Sequence, residues 1–180
     1  MKSPGEMTQL EMAAYVQSIL EQHEIKVVLS GGAATAFHSD NKYVSYDIDL
    51  INIYSSSRKS IKTILSTYGF NEENRYFRHP LSKFFLEFPP GPLTVGQEPV
   101  KMIDEVRLET GILKVISPTD CVKDRLSAYY HWGDQQGLQQ ALLIARTKKV
   151  DLDEVKRWSE HEGKMEEFKI FLIEFSQNSK

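Results

Sequence analysis

The chain has one cysteine in 180 residues, Cys121, so it can build neither an internal disulfide framework nor a cysteine-rich zinc module. No apolar run approaches membrane-spanning length, and the opening MKSPGEMTQLE lacks the hydrophobic stretch of a signal peptide. Both absences point to a cytoplasmic protein with no membrane partner. There is no excess of one charge either: 22 Lys and Arg stand against 25 Asp and Glu, a net charge of −3 with a pI near 6.0. That balance excludes a global pull toward nucleic acid or anionic lipid and leaves only a local basic patch as a route to either. Repeats and low-complexity tracts are missing, and His23, His38, His79, His131 and His161 show no zinc-ligand spacing. What is present is ordinary globular composition, with 41% hydrophobic and 26% charged residues, enough for one compact α/β domain with a helical appendage.

Thr8 and Glu11 have capping-box spacing, and Leu10, Ala13, Val16 and Leu20 follow at helical intervals, which predicts a helix over Thr8 to His23. Lys26 to Leu29 is β-branched and apolar, as a buried strand should be, and runs into Ser30-Gly31-Gly32 and a small-residue helix ending at His38. Tyr46 to Ile53 alternates polar and apolar residues, the period of a strand. A helix is predicted over Ser57 to Tyr68, closed by Gly69, and a strand over Phe84 to Phe88, closed by Pro89-Pro90-Gly91-Pro92. Two more strand-like runs, Val100 to Leu108 and Ile112 to Ile116, flank Glu109-Thr110-Gly111, which predicts a hairpin. From Ser117 the pattern is helical throughout: Ser117-Pro118-Thr119-Asp120 opens a helix to about His131, and others are predicted over Gln135 to Thr147, from Asp151, and over Met165 to Phe175. The expected architecture is a mixed α/β domain over residues 1–116 with an all-helical segment, 117–180, packed on it.

Chemistry concentrates in Gly31-Gly32 and Asp47-Ile48-Asp49. On a strand, residues two apart share a face, so Asp47 and Asp49 project together while Ile48 and Leu50 face the core. Adjacent carboxylates repel and are costly to bury unless a cation sits between them, and hard oxygen ligands suit Mg²⁺ or Mn²⁺. A Gly-Gly turn at a helix N-terminus exposes backbone N–H groups that phosphates can approach. Together these features describe a site for a metal-bound nucleoside triphosphate.

The run Ser30-Gly31-Gly32, a helix, and then Ser45-Tyr46-Asp47-Ile48-Asp49-Leu50 resembles the signature of the polymerase-β-like nucleotidyltransferase superfamily. Within it the likeness is greatest to bacterial minimal nucleotidyltransferases, the abortive-infection and toxin–antitoxin type and their uncharacterised relatives. Ser117 to Ala128 looks similar to the helix that follows the catalytic sheet in those proteins. The resemblance implies a nucleotidyltransferase-like mixed sheet flanked by helices. It also implies that Ser30, Gly31 and Gly32 hold phosphates, that Asp47 and Asp49 bind both metals, and that Glu87, on a later strand, is the third carboxylate. In the reaction so implied, one metal escorts the triphosphate and the other, with Glu87, lowers the pKa of an attacking hydroxyl, which displaces pyrophosphate in line. RNA, a protein side chain or a small molecule would supply that hydroxyl, and an antitoxin-like protein is an expected kind of partner.

The chain departs from the pattern in places. Fourteen residues separate Gly32 from Asp47, so Asn41 to Val44 is expected to form an extra turn. Toxin-type relatives carry a lysine where Arg125 stands, with Lys123 one turn out of register, and acids where this chain has Gly137-Leu138-Gln139-Gln140. Lys123 and Arg125 are candidates for phosphate binding by resemblance, although beside Asp120 and Asp124 they also describe a charge-mixed helix face. Ser45 is placed to orient Asp47 by hydrogen bonding or to end the strand. Arg75, Arg78 and His79 beside Tyr76 and Phe77 fit an exposed hairpin, or a local surface on which RNA stacks. Cys121 has no base partner and is expected to be buried. The alternative reading is a nucleotidyltransferase fold with a weakened site, acting as a nucleotide-binding or protein-interaction module. A metal-dependent phosphodiesterase would need histidine ligands, for which His38 is the near candidate.

Overall fold

The computed structural model describes residues 2–54 and 57–177. Helix α1 (Gln9–Glu21) opens with a reciprocal capping box. The Thr8 hydroxyl accepts the Glu11 N–H at 3.3 Å, and the Glu11 carboxylate accepts the Thr8 N–H at 2.7 Å. Strand β1 (Val27–Ser30) is buried along its length and passes directly into α2 (Gly31–His38). Asp40 and Asn41 take positive φ in the connection that follows, before β2 (Asp47–Asn52). Helix α3 (Arg58–Thr67) is capped by Ser57 and turns Ile61 and Leu65 inward.

Strands β3 (Asn71–Glu73) and β4 (Tyr76–Arg78) form the expected hairpin, and β5 (Phe85–Glu87) is one residue shorter at each end than the apolar run suggests. Beyond it come a two-residue ribbon, β6 (Thr94–Val95) with β7 (Glu98–Pro99), and the hairpin of β8 (Ile103–Leu108) and β9 (Gly111–Ile116). Strand β8 starts at Ile103 instead of Val100 because the N–H groups of Lys101 and Met102 go to Asp120 Oδ2, each at 3.2 Å, and not to a neighbouring strand.

Seven strands make one mixed sheet in the order β3-β4-β5-β2-β1-β9-β8. β1 runs parallel to β9 and β2 parallel to β5, while the other pairs are antiparallel. Cross-strand register puts Ile48 beside Leu86 and Leu86 beside Phe77, and these three, with Leu50, are buried on one face. Alternation then obliges Asp47, Asp49, Phe85, Glu87, Tyr76 and Arg78 to share the opposite face.

Four helices complete the chain: α4 (Pro118–Trp132), α5 (Gln135–Thr147), α6 (Leu152–His161) and α7 (Met165–Gln177). Ser117 caps α4, Pro118 occupies its first turn, and Gly133, at φ 65°, ends it in the left-handed conformation. Helix α4 packs on α2, α5 and α6, and one apolar core runs from the sheet into these helices. The ribbon docks on α6: the buried Trp158 indole donates to the Val95 carbonyl at 3.2 Å, and Gln97 N–H donates to Glu162 Oε1 at 2.8 Å. Tyr130 of α4 stacks on Trp158 with centroids 5.5 Å apart, and its hydroxyl lies 2.8 Å from Ser159 Oγ. Among the described residues no helix is long and apolar enough to cross a membrane.

Among the described residues Lys123 is the one cation sealed into this packing, with its side chain 1% exposed. Its ammonium lies 2.6 Å from Asp120 Oδ1 and 3.3 Å from Glu154 Oε1, joining α4 to α6. Replacing one member of a buried pair strands the other, which typically costs about 3–5 kcal/mol. Lys123→Met is therefore expected to lower the urea midpoint strongly, by a loss on that order, whereas the double change Lys123→Met/Asp120→Asn, which removes the stranded charge and keeps an oxygen for the Lys101 and Met102 N–H groups, should cost less than the single one. Urea denaturation followed by Trp158 fluorescence measures both.

Candidate active site

The antiparallel register of β1 and β2 sets Ser30 opposite Asp49. One residue later the chain must turn into α2, and Gly31 does so at φ +63°. A Cβ built on Gly31 would overlap Asp49 Oδ2, and one built on Gly32 would come within 2.8 Å of Ser45 Oγ. The two glycines thus let the start of α2 press against the acidic end of β2, which side chains of any size would prevent. Ser30 itself is buried at the N-cap position and makes no side-chain capping bond.

The entry to β2 is fixed from two sides. Ser45 Oγ accepts the Asp47 N–H at 3.3 Å, so its orienting role is a backbone bond and not one to the Asp47 carboxylate. From α1, Gln9 Nε2 donates to the carbonyls of Ser45 at 2.9 Å and Asp47 at 3.1 Å. The sequence carries no local sign of this role for Gln9, because the bonds span 36 and 38 residues.

Asp47, Asp49 and Glu87 share one face, since Asp49 pairs with Glu87 across the parallel β2–β5 ladder. Glu87 therefore faces the aspartates. The charges are poorly compensated. Burial first, and then the Glu87 and Asp47 carboxylates, push the Asp49 pKa up to about 6, with the Arg125 guanidinium opposing them. Among the described residues nothing hydrogen-bonds the Asp49 carboxylate. Glu87 leans toward Arg75, whose Nε lies 3.5 Å from Oε1. Consistent with that repulsion and that lean, no three His, Cys, Asp or Glu side chains among the described residues close into a finished metal cluster. The donor set still suits a hard divalent cation: two carboxylates two residues apart on a strand, a third beside them, and a raised acid that a cation would neutralise.

Arg125 and Lys123, two residues apart on α4, have different surroundings. The Arg125 guanidinium pairs with Asp124, donates from Nη1 to Gln140 Oε1 of α5 at 3.3 Å, and lies close enough to Asp49 to feel its charge. Lys123 does not meet the expectation of a phosphate-binding cation, because Asp120 and Glu154 hold its ammonium in the α4–α6 packing. The missing acid on α5 has a steric counterpart. A Cβ on Gly137 would come within 2.6 Å of the Arg125 carbonyl, so a larger residue would push the two helices apart. His38 cannot serve as the free ligand a phosphodiesterase needs, since it is buried with Nε2 2.8 Å from the Ile116 carbonyl. Cys121 is buried against Thr35, and burial pushes its thiol up to about 12.

The raised Asp49 acid has a stability consequence. The native state keeps this proton up to about pH 6, whereas the unfolded chain releases it near the ordinary 3.8. Native protein then binds more protons across that window, so stability falls as pH rises from about 4 to 6 and stays lower above it. Asp49→Asn removes the penalty. In chelator-containing buffer it is expected to stabilise the protein by about 1–3 kcal/mol at pH 7 and by almost nothing below pH 4, read from urea curves at both pH values.

No protein-family model and no curated protein sequence matches this chain. Solved structures do. It is similar to an antigenic nucleotidyltransferase-like protein from Paracoccidioides brasiliensis, at 20% identity and a TM-score of 0.57 over 77% of this chain and 75% of that one. It is also similar to ANT(2'')-Ia, whose structure holds adenylyl-2''-tobramycin, at 12% identity and a TM-score of 0.50 over 97% of this chain and 100% of that one. At such identities the likeness speaks for the fold: this chain is a nucleotidyltransferase-like mixed sheet flanked by helices, extended by an all-helical C-terminal segment.

Proposed function

We propose that this protein is a metal-dependent nucleotidyltransferase that moves a nucleoside monophosphate from a nucleoside triphosphate to an acceptor hydroxyl. The observation that carries the reading is the close approach of the Gly31 backbone to an under-compensated Asp49, a pairing that costs stability and fits a cation and a phosphate together. Residues 1–116 would hold the nucleotide, and residues 117–180 would close the site from the side of α4.

In this reading Ser30, Gly31 and Gly32 present the start of α2 to the triphosphate. Asp47 and Asp49 would hold Mg²⁺ or Mn²⁺, with Glu87 as the third carboxylate. When bound, such an ion neutralises phosphate charge and makes an attacking hydroxyl more acidic. Arg125, braced by Gln140 and Asp124, adds positive charge beside Asp49. Glu87, beside Asp49 on the neighbouring strand, would take the proton that the hydroxyl gives up. The new bond joins the acceptor oxygen to the α-phosphorus, and the bond from that phosphorus to the leaving pyrophosphate breaks. That the ANT(2'')-Ia structure contains an adenylylated hydroxyl compound is consistent with this use of the fold. Gly137 and Gln140 stand where toxin-type relatives carry acids, so the proposal does not extend to an antitoxin-like partner.

One observation favours the second reading, a nucleotide-binding module with a weakened site: Arg75 engages Glu87, the third carboxylate. Calorimetric titration of ATP, GTP, CTP and UTP with and without Mg²⁺ tests both. The enzyme reading expects metal-dependent binding in the wild type, loss in Asp47→Asn/Asp49→Asn, and pyrophosphate release once an acceptor is supplied. Binding without any release across acceptors would support the module, and no binding at all would overturn both. Gly31→Ala, which forces Asp49 away and strains a positive φ, is expected to weaken triphosphate binding at least roughly ten-fold at a stability cost of about 1–3 kcal/mol.

A further inference from the structure

The sheet has two edges, and they are built differently. At one end β3 is three residues long and carries Glu72 and Glu73, the short, charged form that discourages pairing. At the other end β8 runs six residues, pairs with β9 in unbroken register, and contains neither proline nor bulge. Ile103, Glu105 and Arg107 alternate along it as exposed residues, and Asp104, Val106 and Leu108 as half-buried ones.

Gln17 reveals which backbone groups of β8 are free. From the far side of β9 its side chain takes both the N–H and the C=O of Lys114, at 2.8 and 2.7 Å. Hydrogen-bonded and non-bonded pairs alternate in an antiparallel ladder, so Lys114 and its partner Glu105 form a non-bonded pair. The N–H and C=O of Glu105 therefore point outward, as do those of Ile103 and Arg107. Among the described residues no hydrogen bond from outside the ladder reaches them, and the side chains of Glu105 and Arg107 have no ion-pair partner.

A strand added to this edge must meet these outward groups with outward groups of its own. For a second β8 brought up by a two-fold axis, charge separates the registers. An axis through residue 105 opposes Glu105 to its own copy, one through 107 does the same to Arg107, and one through 104 opposes Asp104 to Asp104. An axis through Val106 instead sets Glu105 opposite Arg107 of the second copy, twice over, with Val106 facing Val106 between the two pairs and Asp104 meeting Leu108.

We infer that β8 is a dimerisation edge, at which two copies of this chain join antiparallel about a two-fold axis at Val106 into one continuous sheet. Strand β2 lies three strands in from this edge, so the acids of the two copies stand seven strand spacings, about 34 Å, apart along the sheet. The inference does not depend on the function proposed above.

Sedimentation velocity of the full chain from about 1 to 500 µM tests it, since a single added strand pair predicts micromolar affinity. The wild type is expected to pass from 20.7 kDa to twice that mass. Arg107→Glu and Glu105→Arg each place like charges opposite one another twice, and should each weaken the dimer at least roughly ten-fold. The exchange Glu105→Arg/Arg107→Glu should restore it, and the two single variants mixed together should form a heterodimer, which misfolded chains would not do. Val106→Cys should cross-link the dimer on mild oxidation, because a facing non-bonded pair brings Cα atoms to about 4.5 Å. Arg107→Cys should not, with its Cα atoms about 8–9 Å apart, and Cys121 is buried away from the reaction. A chain that stays monomeric throughout, as it would if this edge served a strand of another protein, would overturn the inference. So would a dimer indifferent to Arg107→Glu, or single variants that neither the exchange nor mixing rescues.

Discussion

The space between the Gly31 backbone and the Asp49 carboxylate is too small for a methyl group, and much of the structure serves to hold those two groups together. The β1–β2 register places them, α1 anchors the strand entry through Gln9, and α4 brings Arg125 up beside the acid. Left alone, three carboxylates on one face would repel, and burial of Asp49 makes the repulsion worse. The fold tolerates this because the opposite face of the same strands is packed with Ile48, Leu50, Leu86 and Phe77. Apolar burial on one side stabilises an arrangement that electrostatics on the other side opposes.

Helices α4 and α5 show how packing selects the charges around such a site. Gly137 allows α5 to reach the Arg125 carbonyl, and the same contact puts Gln140 against the guanidinium. A neutral amide orients the arginine without cancelling it, so more of its charge is left for Asp49 than an acid would leave. Two residues away Lys123 has the opposite fate, fully matched by Asp120 and Glu154. One cation on α4 lies near Asp49 and the other joins helices.

That difference was not legible in the sequence. Asp120, Lys123, Asp124 and Arg125 look alike as a charge-mixed helix, and only the placement of α2, α5 and α6 around α4 tells the two cations apart. Gly31-Gly32 and Asp47-Ile48-Asp49 were legible because their signals are local: a turn residue where φ is positive, and a two-residue period on a strand. The caps at Thr8, Ser57, Ser117 and Asp151 were local as well, and each opens the helix expected of it. Strand register is not local. Phe77 and Tyr76 are neighbours in sequence but lie on opposite faces, and it takes the pairing of β4 with β5 to show that Tyr76 joins the acids while Phe77 joins the core. The ribbon of β6 and β7 escaped notice for a related reason, since two-residue strands have no period to detect and Pro99 argues against one.

The ribbon also limits how the molecule can move. It comes from the chain between two sheet strands, yet its bonds go to α6: Val95 to Trp158, Gln97 to Glu162, and Glu98 to Arg157, whose Nη1 lies 3.0 Å from Glu98 Oε1. A strap anchored this way ties the helical segment to the sheet like a guy-rope, so the helices cannot swing open as a lid without tearing a buried indole from its partner. Traffic to and from the acids must then pass without a swing of the helical segment away from the sheet. The fold thereby trades a moving door for a fixed doorway, and the side chains on its sill become the ones that choose what enters.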